Sequence, residues 1–229
     1  LYGWLMKLKK RLLTICSLIE NNKEVYDIGC DHAYLDIFLT EYKNCKCHAS
    51  DKSSNALKYA IKNIKENKLE DKIEVIVSDG LKNINISDKS TIVISGMGTQ
   101  TIINILENDQ IYKAYDIIIQ SNNDHEMLRR YLNKRNLKIV DELVVKEKDI
   151  YYITIKVVKG NQKLTKKDFI LGPILRKNKD IETISYYLYL LELKQEILKK
   201  MPRKNLGKRL ELIQVINWLK RMLKKESRA

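Results

Sequence analysis

Short apolar runs alternate with segments of helical pattern between residues 23 and 120. The runs of β-like composition are EVYDIG (24–29), CKCHASD (45–51), KIEVIVSD (72–79), TIVISG (91–96) and YDIIIQSN (115–122). After the first, second, fourth and fifth runs, apolar residues recur at steps of three and four, as in Leu35, Phe38 and Leu39. This alternation predicts an α/β fold, with a parallel sheet covered by helices on both faces. Such a sheet binds its ligand at the carboxyl ends of the strands.

The end of this region predicts two more strands. In LKIVDELVVKEKDIYYITIKVVKG, two β-rich runs are separated only by residues 146–149. A gap of that length cannot hold a crossover helix, so the two strands should form an antiparallel hairpin. A mostly parallel seven-stranded sheet that ends in an antiparallel strand is typical of Rossmann-like methyltransferases, although a fold alone does not decide the chemistry.

The chain changes character at residue 163. Two long helical segments, DIETISYYLYLLELKQEILKKM and RLELIQVINWLKRMLKK, predict a coiled-coil-like α-helical hairpin. Its apolar positions are expected to pack together: Ile184, Tyr187, Leu188, Leu191, Leu210, Ile213, Ile216 and Leu219. We therefore predict a catalytic-type domain over residues 6–160 and a helical domain over 163–229.

At the N-terminal end, an amphipathic helix is expected around residues 11–19. The five residues LYGWL before Met6 need not be native.

The net charge of +14 is concentrated in the C-terminal part. Residues 161–229 hold 18 Lys/Arg and 7 Asp/Glu, whereas the first 160 residues are close to balance. Like charge gathered in one segment repels itself, and a polyanion such as nucleic acid would relieve that repulsion. The four cysteines do not form a disulfide framework or a tetrahedral metal site, and no apolar run reaches the length of a membrane span. We expect a cytoplasmic protein without a metal.

The loop after the first strand, DIGCDHAYL, carries the strongest chemical signal. Gly29 allows a ligand to approach the backbone, and Asp27 and Asp31 flank it with carboxylates. A dinucleotide site would need the G-x-G-x-x-G pattern, which is absent, and Asp31 would repel a pyrophosphate. S-adenosylmethionine has no phosphate and carries two cationic groups, so it fits this loop better.

Acidic residues also follow the second and third strands. Asp51 can accept the two ribose hydroxyls of a nucleoside, and Lys52 can cover its adenine. Asp79, followed by Gly80, can accept the exocyclic amine of that adenine. One such aspartate is more often a turn residue than a ligand, but three in register indicate a nucleoside site.

The fourth and fifth strands end in polar or flexible residues. Gly96, Met97 and Gly98 form an open loop after the fourth strand. Residues 120–123, Gln-Ser-Asn-Asn, offer paired donors and acceptors after the fifth. The sequence thus predicts one polar rim made by five strand ends, with Gly96 next to the cofactor.

These motifs resemble the bacterial tRNA adenine-22 N1-methyltransferases, a class of S-adenosylmethionine-dependent enzymes. The resemblance is carried by DIGCDHAYL, ASDKSSNALKYA, SDGL, SGMG and the Gln-x-Asn after the fifth strand, and it extends over residues 6 to about 200. Three positions depart from the family pattern. Asp36 and Ser121 stand where the family has proline, and Thr99 replaces a third glycine.

The resemblance implies methyl transfer from S-adenosylmethionine to N1 of an adenine in tRNA. A carboxylate near N6 would stabilise the positive charge that methylation leaves, and Asp31 is the candidate. Asp31 is equally well placed to cap the following helix. The base pocket that the resemblance implies comprises His32, Tyr34, Met97, Gly98, Gln120, Asn122 and Asn123.

The helical hairpin should contact tRNA phosphates without reading sequence. Its candidate residues are Arg176, Lys177, Arg203, Lys204, Lys208 and Arg209. Two other functions stay open at this point: a methyltransferase for another RNA or a small molecule, and an RNA-binding module with a vestigial fold. The oligomeric state is also open, with a monomer favoured.

Overall fold

The computed structural model describes residues 8–226. Its strands are β1 (Glu24–Ile28), β2 (Lys46–Asp51), β3 (Ile73–Val77), β4 (Thr91–Met97), β5 (Asp116–Ser121), β6 (Leu137–Glu147) and β7 (Ile150–Lys159). Its α-helices are α1 (Lys10–Leu18), α2 (Tyr34–Lys43), α3 (Ser54–Glu66), α4 (Thr99–Leu106), α5 (His125–Lys134), α6 (Lys166–Leu171), α7 (Ile181–Lys200) and α8 (Leu206–Glu226). Short 3₁₀ turns lie at Asp109–Tyr112 and Leu175–Lys177.

The strands form one seven-stranded sheet in the order β3-β2-β1-β4-β5-β7-β6. The five strands from β1 to β5 are parallel, and β7 is antiparallel to both of its neighbours. The predicted mostly parallel sheet is therefore confirmed, with the antiparallel strand inserted between β5 and β6. Lys148 and Asp149, both with positive φ, form the two-residue hairpin turn, a conformation whose twist matches that of the flanking strands.

The pleat of the sheet divides the apolar residues into two clusters. Val25 on β1 and Val93 on β4 face α1, α2 and α3, whereas Ile28 and Ile94 face α4, α5 and the C-terminal helices. Helices thus cover both faces, as the alternating pattern predicts. Because the sheet is closed on both faces, the loops at the carboxyl ends of the parallel strands remain the natural place for a ligand.

The C-terminal segment is built into this core. Tyr187 of α7 and Leu219 of α8 are buried in the same cluster as the sheet residues, and Tyr187 donates a hydrogen bond to the carbonyl of Leu171. Beneath them, Arg129 of α5 and Glu142 of β6 form a fully buried ion pair with an Nε–Oε1 distance of 2.7 Å. The domain boundary near residue 160 stays a prediction, but the helices beyond it pack against the sheet rather than standing apart.

The expected packing of the hairpin is only partly right. Tyr187, Ile216 and Leu219 are buried, whereas Leu188, Leu210 and Ile213 are exposed, so their predicted packing is wrong. Among the described residues, these parts of the apolar stripes of α7 and α8 are therefore left uncovered.

The N-terminal helix is confirmed as α1, which starts at Lys10. The question about LYGWL, and Met6 with it, lies outside the described residues. None of the helices between residues 8 and 226 combines the length and apolarity needed to cross a bilayer.

Candidate active site

A cavity of about 1,040 Å³ opens at the carboxyl edge of the sheet. We call it the first cavity, and its walls come from the β1–α2 loop, the ends of β2 and β4, the start of α1 and one side of α3. The residues that line it are Leu8, Lys9, Arg11, Leu12, Asp27, Gly29, Cys30, Asp31, His32, Tyr34, Leu35, Asp51, Asn63, Glu66, Asn67, Ser95, Gly96 and Met97. The cavity therefore takes in three of the five strand ends of the predicted rim, those of β1, β2 and β4.

The loop after β1 is fixed by glycine and by the neighbouring strand. Gly29 has φ +85°, and a Cβ at this position would collide with Cε of Met97. The amides of Gly29 and Cys30 both donate to the carbonyl of Ser50, at 2.7 and 2.9 Å. The loop is thus held against β2, with no side chain between its backbone and Met97.

Asp27 and Asp36 form a buried pair of carboxyl groups beneath this loop. Both side chains are buried, and neither Oδ1 of Asp27 nor either oxygen of Asp36 has a conventional donor among the described residues. Burial, and then the charge of Asp36, raise the pKa of Asp27 well above its ordinary value, and burial raises the pKa of Asp36 to about 7. One proton shared between the two groups therefore relieves the repulsion, and only Asp27 of the pair reaches the cavity.

Asp31 lies at the mouth of the cavity with a side chain that is 73% exposed. Its φ of 52° is left-handed, a conformation that aspartate tolerates better than most residues. The N-cap of α2 is Ala33, without a side-chain hydrogen bond, so the alternative role of Asp31 as the helix cap is wrong. Nε2 of His32 lies 3.6 Å from Oδ1 of Asp31.

His32 and Tyr34 belong to a small aromatic cluster beside Asp31. The His32 ring stacks on Tyr34 with centroids 5.6 Å apart, and the exposed Tyr59 of α3 is 5.1 Å from it on another side. Asn63 of α3 donates to the carbonyl of His32 and fixes the backbone there. His32 and Tyr34 line the first cavity, whereas Tyr59 lies outside its lining.

The structure places Asp51, which ends β2, at the first cavity and Asp79, which follows β3, away from it. Asp51 lines the cavity, and its Oδ1 accepts a hydrogen bond from the amide of Ser53. Lys52 is exposed beside it, outside the lining. Asp79 is exposed and paired with Lys82 at 2.6 Å, which lowers the pKa of Asp79. Neither Asp79 nor Gly80 lines the first cavity, so their contact with a cofactor adenine stays a prediction.

Gln120 organises the other end of the rim from a fully buried position. Its Oε1 accepts from the amide of Gly96 at 3.1 Å and from Arg11 at 3.2 Å, and its Nε2 donates to Oδ1 of Asn122. Gly96 and Met97 line the first cavity, whereas Asn122 lines a smaller neighbouring one. Gln120 therefore shapes the rim and is not itself exposed to a ligand.

Asn123 and Gly98 have local structural contacts. Oδ1 of Asn123 accepts from the amide of Thr99, directly after Gly98 at the start of α4. The hydroxyls of Thr99 and Ser121 hydrogen-bond each other at 2.7 Å. Two of the departures from the family pattern are thus in direct contact, and together they join the ends of β4 and β5.

Two groups of lining residues follow no strand: Leu8, Lys9, Arg11 and Leu12 at the start of α1, and Asn63, Glu66 and Asn67 at the end of α3. In the sequence, the basic residues around Arg11 suit a contact with the cofactor carboxylate or the RNA, and a solvated basic turn explains them equally well. The group at the end of α3 was missed. The polar residues of α3 looked like an ordinary solvated helix face, because their neighbours become visible only when α2 and α3 pack side by side.

The basic residues of the C-terminal segment differ in whether their side chains are exposed or are bound by other groups of the protein. Lys177, Arg203, Lys204 and Lys208 are exposed. Arg176 pairs with the buried carboxylate of Asp168 at 2.6 Å, and Arg209 donates to the carbonyls of Leu198 and Met201 at the end of α7. The last two side chains are therefore held by the protein itself.

Comparison with known proteins identifies the family. The model of the tRNA (adenine(22)-N(1))-methyltransferase family matches residues 25–221. The chain belongs to this family. The match runs from β1 into α8, so it includes both the sheet and the helical hairpin.

Relatives and solved structures agree with this membership. A Mycoplasma genitalium protein whose name assigns it provisionally to the tRNA methyltransferases is 38% identical over 181 residues, 76% of this chain and 81% of the relative. The Bacillus subtilis tRNA (adenine(22)-N(1))-methyltransferase is 26% identical over 92% of this chain and 97% of its own. The structure of M. capricolum TrmK in complex with S-adenosylhomocysteine superposes with a TM-score of 0.80, at 32% identity, over 95% of this chain and 98% of that one.

Proposed function

We propose that this protein transfers a methyl group from S-adenosylmethionine to N1 of an adenine in tRNA, at position 22. The observation that carries the proposal is the family match over residues 25–221, which includes every strand of the sheet and the acid-lined edge. The product complex of M. capricolum TrmK supports the choice of cofactor.

The residues of the first cavity fit a phosphate-free, cationic nucleoside. Oδ1 of Asp27 is a buried oxygen without a donor at the cavity wall. A cationic group of the cofactor placed there would favour the ionised form of Asp27, with the shared proton on Asp36. One oxygen of Asp51 already accepts the amide of Ser53, and the second can accept a ribose hydroxyl. S-adenosylmethionine, when bound, supplies a methyl group already activated by a sulfonium.

The protein's contribution to the reaction is alignment and charge stabilisation. A methyl acceptor has to lie about 3 Å from the methyl group and in line with its bond to sulfur, so the rigid loops around Gly29 and Gly96 matter more than any acid. N1-methylated adenine carries a positive charge shared with N6. The exposed carboxylate of Asp31, at the cavity mouth, is the group that stabilises this charge and accepts the N6 proton.

Contacts to the body of the tRNA come from the basic C-terminal segment. Lys177, Arg203, Lys204 and Lys208 are free to meet phosphates, whereas Arg176 and Arg209 support the fold and contribute charge only. This division refines the set of six RNA-binding residues expected from the sequence. The cytoplasmic location and the monomeric state stay predictions.

The proposal is tested by label transfer. Purified protein is incubated with S-adenosylmethionine carrying a labelled methyl group and with bulk tRNA, and the tRNA is digested to nucleosides. We expect the label in N1-methyladenosine, and primer extension on single tRNA species should stop at position 22. Label in another nucleoside, or in small molecules of a cell extract but not in tRNA, would contradict the proposal.

A further inference from the structure

A second cavity of about 390 Å³ lies beside the first, under the tip of the β6–β7 hairpin. The residues that matter for its chemistry are Lys9, Arg11, Gly96, Asn122, Lys148 and Tyr152. Its volume falls within the range of about 300–1,000 Å³ that is usual for small-ligand sites.

The two cavities meet at a shared wall. Lys9, Arg11 and Gly96 line both of them. Gly96 has no side chain, and the Arg11 guanidinium lies against it, so the backbone of Gly96 and the side chains of Arg11 and Lys9 form the boundary between the two cavities. Since methyl transfer requires the acceptor to approach the donor within about 3 Å, the second cavity is on the side from which an acceptor can arrive.

The polar groups of the second cavity suit the amino edge of an adenine. The carbonyl of Gly96 accepts a hydrogen bond from Nδ2 of Asn122 at 2.8 Å, and a carbonyl oxygen has two lone pairs. Oδ1 of Asn122 accepts from Gln120 at 3.2 Å, and the Asn122 side chain is exposed. These two oxygens are acceptors without protons of their own. They can hold one N–H of the exocyclic NH₂ that adenine presents next to N1, which leaves the second N–H of that amine for Asp31.

Tyr152 supplies the apolar face of the cavity. Among the described residues that line this cavity, Tyr152 is the only aromatic one. The Arg11 guanidinium lies 5.7 Å from the centroid of its ring. The pleat of β7 turns Ile150 and Tyr152 toward the cavity, while Tyr151 points to the opposite face and contacts Tyr186 of α7. The ring is thus presented at the carboxyl edge of the sheet, one residue beyond the pair Ser121–Ile153.

We propose that the second cavity receives the extruded target adenine, and that Tyr152 is the residue on which this base stacks. The inference rests on the proposed function, because it assumes that the substrate is an adenine in RNA. An enzyme that modifies a base in a folded RNA has to unstack it, and a protein aromatic ring replaces the lost stacking. Lys9 and Lys148 at the rim have the charge to meet the flanking phosphates, while Glu147 is engaged by the backbone amide of Arg11 at 3.3 Å.

The test is a cycle that pairs a change in the protein with a change in the base. Wild type and Tyr152→Ala are titrated with two versions of one tRNA, intact and abasic at the adenosine that the wild type methylates. S-adenosylhomocysteine is present so that no turnover occurs. We expect Tyr152→Ala to weaken binding of intact tRNA by about tenfold, the size of one base–aromatic stack, and to leave the abasic tRNA unaffected.

Matched variants separate stacking from folding. Tyr152→Phe should bind intact tRNA like the wild type, and Tyr152→Leu should behave like the alanine variant while preserving bulk on β7. Tyr115→Ala is the control. Tyr115, like the half-buried Tyr152, has a cation over its ring, but it is exposed and lies before β5 at the opposite edge of the sheet. It should change neither affinity.

The outcomes are distinguishable. Equal losses of affinity for intact and abasic tRNA, or no loss for either, would overturn the assignment of Tyr152 even if the wild type methylates tRNA normally. A wild type that transfers no methyl group to tRNA would instead overturn the proposed function, and the inference with it.

Discussion

The buried pair Asp27–Asp36 makes a quantitative prediction about stability and pH. In the unfolded chain the carboxyl group of Asp36 has its ordinary pKa of 3.8, and in the folded protein burial raises this pKa to about 7. A difference of about three units corresponds to roughly 4 kcal/mol at a pH where both states are ionised. Because the folded state binds the proton more tightly, this term destabilises the fold progressively as pH rises from about 4 to 7.

The perturbation is Asp36→Asn, which keeps the shape and removes the titration. The difference in unfolding free energy between variant and wild type should grow by about 2–3 kcal/mol between pH 5 and pH 8, in favour of the variant. Removing the Asp36 charge also eases ionisation of Asp27, which acts in the same direction. Burial lowers the pKa of His125 to about 4, so His125 makes both proteins less stable at low pH, and its effect cancels in the difference.

The assay is urea unfolding without cofactor, at pH 5 and pH 8, for wild type, Asp36→Asn and the control Asp71→Asn. Asp71 is exposed, so its variant should follow the wild type at both pH values. A gap between Asp36→Asn and wild type that stays the same at both pH values would refute the reasoning, as would a gap that favours the wild type at pH 8.

Three further predictions concern the core, the reaction and the RNA. Glu142→Gln leaves a buried arginine uncompensated and should cost about 3–5 kcal/mol in urea unfolding; unchanged stability would contradict the role of the ion pair. Asp31→Ala should bind S-adenosylmethionine normally in calorimetry while its methylation rate drops by about 100-fold or more, and full activity would remove Asp31 from the reaction. Replacing Arg203, Lys204 and Lys208 together by serine should weaken tRNA binding and reduce the slope of log affinity against log salt by about 2–3, with cofactor binding as the control. An identical slope would mean that these residues do not meet phosphates.

The fold could be predicted well because its signals are local. Apolar runs such as TIVISG identify central strands, and the turn at Lys148–Asp149 is short enough to exclude a crossover helix. The position of β7 between β5 and β6 could not be read from the sequence, because strand order depends on long-range pairing. The same holds for Leu188 and Leu210, whose helical spacing is correct but whose side chains are exposed, because burial depends on which elements pack against the helix.

The site was predictable where it consists of strand ends and obscure where it consists of packed helices. Asp27 and Asp51 could be assigned to one edge, since parallel strands bring their ends together. The pairing of Asp27 with Asp36 depends on how α2 lies against β1, and the contact of Tyr152 with Arg11 joins residues 141 positions apart. Asp79 is a strand-end residue for which the sequence suggested a ligand contact. In the structure its side chain pairs with Lys82.

Calorimetric titration of the wild-type protein tests the central claim most directly, namely that the carboxylate-lined first cavity is made for a cationic nucleoside without phosphates. S-adenosylmethionine and S-adenosylhomocysteine should both bind with one site per chain, and an oxidised nicotinamide dinucleotide should give no heat of binding at the same concentrations. Saturable binding of the dinucleotide, with none of the two S-adenosyl compounds, would contradict the account.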